Sequence, residues 1–214
     1  VSRSAMNVTA HAGDTLIPPC GAPPQWLAEH KRALRSVLRQ QRKAIPRPQR
    51  LQAARAVAKR VLHSAAVRRA RRVAVYLSMG SELPTAPLIA ALRARRISVF
   101  APALLRGAMR FRALGHNRLQ AHALGMRQPC SGLALRASAM DVVILPLLGF
   151  DAHGTRLGQG GGYYDRTLSK TRFRPYRLGL AYAMQQQALL PRELWDQPLN
   201  AVITECKVHR FPRI

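Results

Sequence analysis

A short segment of this sequence combines five glycines with two arginines, which suits it to binding anions. Arg156 and Arg166 bracket most of the glycines, which are Gly154, Gly158, Gly160, Gly161 and Gly162. Glycines let an anion approach backbone N–H groups closely, and guanidinium groups add charge-assisted hydrogen bonds to phosphate oxygens. The segment therefore predicts a phosphate-binding loop, although a tight turn between a strand and a helix would use the same glycines.

The spacing of these glycines argues against two common nucleotide-binding motifs. No Gly-Lys-Ser or Gly-Lys-Thr closes the segment as a P-loop requires, and the glycines do not follow the Gly-x-Gly-x-x-Gly pattern. A dinucleotide-dependent oxidoreductase would also need an acidic residue about 20 residues after the glycines. Residues 167–192 contain none, so this class ranks last among the hypotheses.

The elements that position the loop begin with two amphipathic helices. Over residues 25–45 apolar residues recur at helical spacing, namely Leu27, Leu34, Val37, Leu38 and Ile45. Pro46 and Pro48 end this pattern. A second helix is predicted over about residues 49–70, with an apolar face made of Leu51, Ala54, Ala58, Val61, Leu62 and Ala65.

After the helices the pattern changes to that of a parallel sheet. Residues 73–77 form a short buried strand, residues 84–96 a crossover helix and residues 97–101 the next strand, which together make a βαβ unit. The most strand-like run, residues 141–150, feeds directly into the glycine segment, and a helix is predicted from Gly162 to Lys170. Further strands are predicted over residues 109–113, 176–183 and 201–204.

These alternating strands and helices predict a three-layer α/β/α fold with a mainly parallel, Rossmann-like sheet. Ligands of such folds bind outside the carboxyl ends of the strands. Residues 1–24 carry Gly13 and the proline pairs Pro18-Pro19 and Pro23-Pro24 without sustained periodicity, so we expect a flexible arm before one domain over residues 25–214. The segment 114–139 shows no clear pattern.

The formal charge of +26 is the strongest compositional feature. Residues 31–72 contain fifteen basic residues and no acidic one, which would suit an RNA-associated protein. However, only five of the 35 basic residues are lysines, and a GC-rich genome would also enrich arginine. Both explanations stay open, because no nucleic-acid-binding motif accompanies the charge.

Composition also leads to expectations about location and cysteine chemistry. No apolar run approaches the roughly 18 residues that a membrane helix needs, and the first residues lack the pattern of a secretory signal. We therefore expect a cytoplasmic protein. Its cysteines are predicted to be free thiols rather than zinc ligands or disulfides, since they lie far apart at Cys20, Cys130 and Cys206.

The run Gly149-Phe-Asp-x-x-Gly-x-Arg-Leu-Gly-x-Gly-x-Gly-Tyr-Tyr-Asp-Arg166 resembles the signature of the 5-formyltetrahydrofolate cyclo-ligase family. Three further segments match in order: residues 31–35, residues 76–82, and residues 194–205 with their Leu-Trp-Asp and Val-Ile-Thr-Glu sequences. The resemblance covers about residues 26–205. It leaves the arm and about residues 106–139 without a counterpart.

The resemblance implies an enzyme that uses ATP and Mg²⁺ to convert 5-formyltetrahydrofolate, with or without a polyglutamate tail, into 5,10-methenyltetrahydrofolate, with release of ADP and phosphate. We expect a monomer with a small-molecule substrate and no membrane partner. The alternative from another class is a basic RNA-associated protein that keeps the fold with weak or no catalysis. The extreme basicity and the arm lie outside the common pattern of the family.

The family's functional positions transfer onto named residues here. Implied catalytic residues are Tyr163, Arg156 and Arg166, and implied Mg²⁺ ligands are Asp165 and Asp196. The ATP site would comprise Lys31, Arg32, Ala33, Leu34, Arg35, Arg156, Leu157, Gly158, Gln159, Gly160, Gly161, Gly162, Tyr163 and Tyr164. The folate site would comprise Leu77, Met79, Glu82, Gln159, Gly160, Gly161, Gly162 and Tyr163.

Several of these residues also have ordinary structural explanations. Lys31 and Arg35 would suit a solvated helix face, Tyr163 simple packing, and Asp196 a helix cap or a salt bridge with Arg192. The loop also departs from the family pattern, because Gln159 and Gly161 stand where some relatives carry Arg and Lys. Either change removes a cation near the phosphates, so stabilisation of the transition state would rest more on Arg156, Arg166 and Lys31.

Overall fold

Five parallel strands form the centre of the molecule and separate two hydrophobic cores. The computed structural model describes residues 24–105, 107–115, 118–122, 125–171 and 175–212. Most of the predicted arm, including Cys20, lies outside these residues. The strands are β1 (Arg72–Val75), β2 (Ser98–Leu105), β3 (Ala108–Ala113), β4 (Leu119–Ala121), β5 (Arg127–Pro129), β6 (Ala134–Leu135), β7 (Val142–Leu145), β8 (Gly149–Phe150), β9 (Arg156–Leu157), β10 (Tyr176–Leu180), β11 (Ala201–Ile203) and β12 (Val208–Arg210).

The helices lie on both faces of this sheet. They are α1 (Pro24–Ala44), α2 (Arg47–His63), α3 (Ala65–Arg68), α4 (Ala86–Ala94) and α5 (Tyr163–Leu168), with 3₁₀ turns at Ala137–Ala139 and Ala183–Gln185. None of the described helices has both the length and the apolar character of a membrane span.

The sheet confirms the predicted three-layer, mainly parallel fold. Its strand order is β12-β11-β10-β7-β1-β2-β3-β6. The five strands from β11 to β2 in this order are parallel to one another, with Val73 of β1 in register with both Val142 and Val99. The outer strands β12, β3 and β6 are antiparallel to their neighbours. The predicted βαβ unit is β1-α4-β2.

Strand β7 shows why the central strands have continuous apolar sequences. All four of its residues are buried. Val142 and Ile144 pack into the core beneath α2 and α4, whereas Val143 and Leu145 pack into the core that includes α5 and the first 3₁₀ turn. Since successive side chains of a strand point to opposite faces, a strand covered on both sides must be apolar throughout.

Both long helices differ from the prediction in the face that they bury. Val37 is 49% exposed and Leu51 is 42% exposed, so assigning them to the apolar faces was wrong. Val57, absent from the predicted face, is fully buried in α2. The second helix also ends earlier than predicted, because Ser64 adopts an extended conformation and its hydroxyl donates to the carbonyl of Val61 at 2.7 Å.

The chain after β7 differs from the prediction in a way that matters for the glycine segment. The strand predicted over residues 141–150 ends at Leu145, and the short hairpin β8-β9 follows. The glycine segment therefore leaves this hairpin rather than the central strand. Helix α1 covers the hairpin through a small core of Leu38, Leu148, Leu157 and Leu190.

Asp151 holds the hairpin that carries the glycine segment. Its side chain is completely buried. One carboxylate oxygen accepts the backbone N–H groups of His153 and Thr155, both at 2.9 Å, and the other accepts that of Leu190 at 3.1 Å. A buried carboxylate that accepts several N–H groups fixes the local backbone, because each unmatched N–H would be costly.

We expect Asp151→Ala to lower the free energy of unfolding by at least about 3 kcal/mol, because three N–H groups, two of them buried, lose a charged acceptor. Asp151→Asn should lose less, since its amide oxygen can still accept from His153 and Thr155. Urea unfolding of the three proteins measures the differences. An alanine variant as stable as the wild type would contradict this role of the carboxylate.

Candidate active site

Most of the predicted site residues line one cavity of about 610 Å³. The cavity lies at the carboxyl ends of β1 and β7, where Leu77 and Pro146 follow the two strands. The predicted residues that line it come from four separate parts of the chain, namely Lys31 and Arg35, Leu77, Met79 and Glu82, residues 156–166, and Asp196. This placement agrees with the position of ligand sites in open α/β folds.

The glycine segment makes one wall of the cavity. Gly160 and Gly162 have φ angles of 105° and 63°, which favour glycine over residues with side chains. At Gly158 an added Cβ would lie 2.6 Å from a guanidinium nitrogen of Arg156. Glycine at position 158 therefore lets the Arg156 side chain lie against the loop backbone.

Arg156 is a buried cation that still has hydrogen-bonding capacity. Its Nη2 donates to Asp165 Oδ1 at 2.8 Å. Its Nε is buried and has no hydrogen-bond partner among the described residues. The same Asp165 oxygen accepts the backbone N–H of Gln197 at 3.1 Å. Arg156 thus combines a fixed position with a donor left over for a bound anion.

Lys31 is a buried cation held between two carboxylates. Its Nζ lies 2.6 Å from Glu193 Oε2 and 2.6 Å from Asp196 Oδ2, and 6% of its side chain is exposed. Asp196 Oδ2 also accepts the backbone N–H of Glu193 at 2.9 Å. Lys31 is therefore not on a solvated face. Asp196 acts as a local cap and pairs with Lys31, not with Arg192.

A chain of hydrogen bonds crosses the cavity from α1 to the segment after β1. Arg39 Nη2 donates to Gln159 Oε1 at 3.1 Å, and Gln159 Nε2 donates to Glu82 Oε1 at 3.3 Å. The other Glu82 oxygen accepts the backbone N–H of Met79 at 2.9 Å. Burial raises the pKa of Glu82, opposed by the Met79 hydrogen bond and by the charge of Arg42.

Two cation–π contacts between arginine and tyrosine side chains hold the start of α5. The Arg166 guanidinium lies 5.0 Å from the ring centre of Tyr163 and donates to the carbonyl of Gly161 at 2.8 Å. The Arg156 guanidinium lies 5.9 Å from the ring centre of Tyr164. Such contacts between arginine and aromatic rings are favourable and restrict both side chains. Helix α5 begins where predicted, at Tyr163, but ends at Leu168.

Some predicted residues lie away from the cavity. Arg32 and Ala33 are exposed on α1, and Leu34 packs onto the small core beneath that helix. Leu157 reaches the cavity wall but is buried in the same core.

Three residues that shape the site were not predicted from the sequence. Glu193 is a partner of Lys31, Arg39 bonds to Gln159, and Trp195 lines the cavity rim with 63% of its surface exposed. A signal existed for Arg39, because positions 31, 35 and 39 follow helical spacing and share one face of α1. Glu193 was detectable as one of nine acidic residues, three positions before Asp196.

The cavity has two chemically different regions. One end gathers the cations Lys31, Arg35 and Arg156 with the carboxylates of Asp165 and Asp196, an arrangement that suits a polyphosphate with a divalent cation. Burial lowers the pKa of Arg35, and the nearby Asp196 and Glu193 charges oppose this. The other end sets the buried Glu82 among apolar side chains, where it can accept hydrogen bonds from a planar, N–H-rich ligand.

Comparisons of the sequence with known proteins agree with the geometry. The profile of the 5-formyltetrahydrofolate cyclo-ligase family matches residues 27–205. A protein of Escherichia coli strain K12 named 5-formyltetrahydrofolate cyclo-ligase is 38% identical over 184 residues, which cover 80% of this chain and 98% of that protein. The protein of the same name from Haemophilus influenzae is 32% identical over 182 residues, covering 82% of this chain and 97% of that protein.

Solved structures give the same result for the fold. The NMR structure of Aquifex aeolicus 5,10-methenyltetrahydrofolate synthetase aligns with a TM-score of 0.77 and 26% identity, covering 86% of this chain and 94% of that one. A 5,10-methenyltetrahydrofolate synthetase from Mycoplasma pneumoniae aligns with a TM-score of 0.67 at 22% identity, covering 82% and 98%. The second likeness supports the fold alone.

We expect Glu82→Gln to stabilise the folded protein more at about pH 8 than at about pH 4. A carboxyl whose pKa is raised by folding contributes stability that is lost as the pH rises above the ordinary glutamate value of 4.5. The amide avoids this loss and can keep the bond from Met79. Urea unfolding at both pH values measures the difference, with the exposed Glu29→Gln as control. An equal effect of Glu82→Gln at both pH values would contradict the raised pKa.

Proposed function

This chain belongs to the 5-formyltetrahydrofolate cyclo-ligase family, and we propose that it uses ATP to convert 5-formyltetrahydrofolate into 5,10-methenyltetrahydrofolate. The observation that carries the proposal is the single cavity that joins a cation-rich end to a buried carboxylate among apolar side chains. ADP and phosphate are the other products. The two regions correspond to the two substrates that the reaction must bring together.

ATP is required because the formyl oxygen is a poor leaving group. That oxygen attacks the γ-phosphorus, the bond from this phosphorus to the bridging oxygen breaks, and ADP leaves. The N10 amine then attacks the activated formyl carbon and loses its proton, and phosphate departs with the former formyl oxygen. The protein contributes by placing the two substrates in contact and by stabilising the charge on the phosphoryl group.

Arg156, Arg35 and Lys31 are the residues that we assign to the phosphates. Arg156 has a buried Nε free of hydrogen-bond partners in the described part of the chain. Arg35 Nε is fixed beside the loop by the carbonyl of Gly158 at 3.0 Å. Arg166, held against Tyr163, adds charge at the outer side of the loop. We leave Arg32 and Ala33 out of this site because both point to solvent.

Asp165 and Asp196 are suitable ligands for Mg²⁺. Each accepts its recorded hydrogen bonds through a single oxygen, Oδ1 in Asp165 and Oδ2 in Asp196, and both line the phosphate end of the cavity. No group of three acidic, histidine or cysteine side chains is preassembled among the described residues. This agrees with Mg²⁺ sites that take one or two carboxylates and fill the remaining positions with phosphate oxygens and water. A bound Mg²⁺ would neutralise charge on the transferred phosphoryl group.

Glu82, Leu77 and Met79 would hold the pterin part of the folate. The Glu82 carboxylate faces the cavity from a buried position, where N–H groups of a pterin edge are suitable donors. Leu77 and Met79 line the adjoining apolar wall together with Pro102 and Met109. Tyr163, packed beneath Arg166 at the start of α5, also lines the cavity. We assign it to orienting the formyl group.

The absence of Arg and Lys at positions 159 and 161 is partly offset by helix α1. Arg39 donates to Gln159, and the Arg35 guanidinium lies close to Gly160, 3.6 Å from where a Cβ would be. The loop therefore receives cations from a neighbouring helix. This supports catalytic competence in spite of the departure from the family pattern.

The direct test is formation of the methenyl product, which absorbs in the near ultraviolet. We expect purified protein to produce it from 5-formyltetrahydrofolate only when both ATP and Mg²⁺ are present, with ADP and phosphate formed in equal amounts. Omission of either ATP or Mg²⁺ serves as control. A folded protein that yields no product under complete conditions would refute the proposed function.

We expect Lys31→Met to raise the KM for ATP by at least about tenfold, equivalent to about 1.4 kcal/mol. The change removes a cation from the phosphate end and leaves Glu193 and Asp196 facing each other without it. The matched control is Arg32→Met, which removes the same charge from an exposed neighbour on α1. Steady-state kinetics with varied ATP measures both variants. Equal KM values for the two variants would contradict the assignment of Lys31.

A further inference from the structure

A cluster of arginines lies at the end of the sheet opposite the active site. Arg68, Arg71, Arg95 and Arg96 line a second cavity of about 620 Å³, between the ends of α3 and α4 and the starts of β1 and β2. Three more exposed arginines belong to the same two segments, namely Arg69, Arg72 and Arg93. We call these seven residues the amino-edge cluster.

The amino-edge cluster is separated from the active site by the length of the central strands. Arg72 begins β1, whereas Leu77 and Glu82 follow the other end of that strand and line the active-site cavity. Because β1 and β2 are parallel, both of them start at the cluster. The cluster and the active-site cavity therefore lie at opposite ends of one sheet.

Within the described part of the chain, no carboxylate forms an ion pair with an arginine of this cluster. The three ion pairs found among the described residues all lie at the active site. Asp141 is the acidic residue at this edge, and one of its oxygens accepts the backbone N–H groups of Arg71 and Arg72, both at 2.9 Å. Arg93 and Arg95 donate to backbone carbonyls, which carry no full charge. The guanidinium charges thus remain available to an external anion.

Arg96 gives an independent reason to assign a role to the cluster. It follows the end of α4 with a φ of 58°, the left-handed conformation in which glycine is favoured. A genome rich in G and C supplies glycine as readily as arginine, so compositional bias does not explain an arginine here. The retained side chain is one that lines the cavity with Arg68 and Arg71.

We propose that the amino-edge cluster binds the phosphate backbone of a nucleic-acid duplex without reading its sequence. Closely spaced guanidinium groups without acidic partners match a polyanion with regularly spaced phosphates. The cluster contains no aromatic side chain on which an unpaired base would stack. The large apolar side chains exposed in the described chain lie elsewhere, at Val37, Leu51, Leu133, Met184, Leu194 and Trp195, which disfavours insertion into a membrane surface.

The test compares two variants that lose the same charge. One combines Arg68→Gln, Arg71→Gln and Arg96→Gln, and the control combines Lys43→Gln, Arg47→Gln and Lys207→Gln at exposed positions outside the cluster. Fluorescence anisotropy with a labelled DNA duplex and an RNA duplex measures affinity over a range of salt concentrations. We expect the cluster variant to bind either duplex at least about tenfold more weakly and to lower the salt slope by up to about three, one for each phosphate contact.

The control variant should bind nearly as tightly as the wild type, and both variants should keep the turnover of the proposed reaction. Equal loss of affinity in the two variants would overturn the proposal, because net charge would then explain binding. Absence of duplex binding by the wild type would also overturn it, whether or not anionic phospholipid vesicles bind. Arg71→Gln alone, with an expected decrease in slope of about one, provides the test if the triple variant does not fold.

Discussion

Positive charge must be neutralised wherever this protein buries it, and that requirement shapes the catalytic end of the molecule. Lys31 and Arg156 are both almost completely enclosed, and each lies within 2.8 Å of a carboxylate. Removing one partner of a buried pair costs about 3–5 kcal/mol. In a chain with 35 basic and nine acidic residues, the few carboxylates therefore decide where cations can enter the interior.

Near Glu82 a buried positive charge is also balanced by a negative one, but the two charged groups are not in direct contact. Arg42 is buried beneath it and donates to the Ser81 hydroxyl and to the carbonyl of Leu147. Burial lowers the pKa of Arg42 and raises that of Glu82, and each charge opposes the shift of the other. The carboxylate keeps hydrogen-bonding capacity towards the cavity, since Arg42 stabilises it from behind. This arrangement keeps a buried carboxylate available to a ligand at some cost in the stability of the folded protein.

Local sequence patterns were sufficient for the central strands and for the glycine loop, whereas the predicted site residues came from the resemblance to the cyclo-ligase family. β-branched runs located the central strands, and the glycine segment with its Tyr-Tyr-Asp-Arg ending located the loop. Which side of α1 points inward was not predictable from local patterns. Its inward positions include Lys31, Leu38 and Arg42, so an apolar pattern wrongly included Val37. Cations on an inward face become recognisable only when their distant partners are known.

The pairing of Lys31 with Glu193 spans 162 residues of sequence, and this has a consequence for biosynthesis. The ribosome makes helix α1 before all the other described elements and the carboxylates near the other end of the described chain after most of them. Until then Lys31 has no partner and its ammonium group must stay hydrated, since an unpaired buried charge is costly. Helix α1 can therefore take its final position over the β8-β9 hairpin only after the segment that carries Glu193 and Asp196 has emerged.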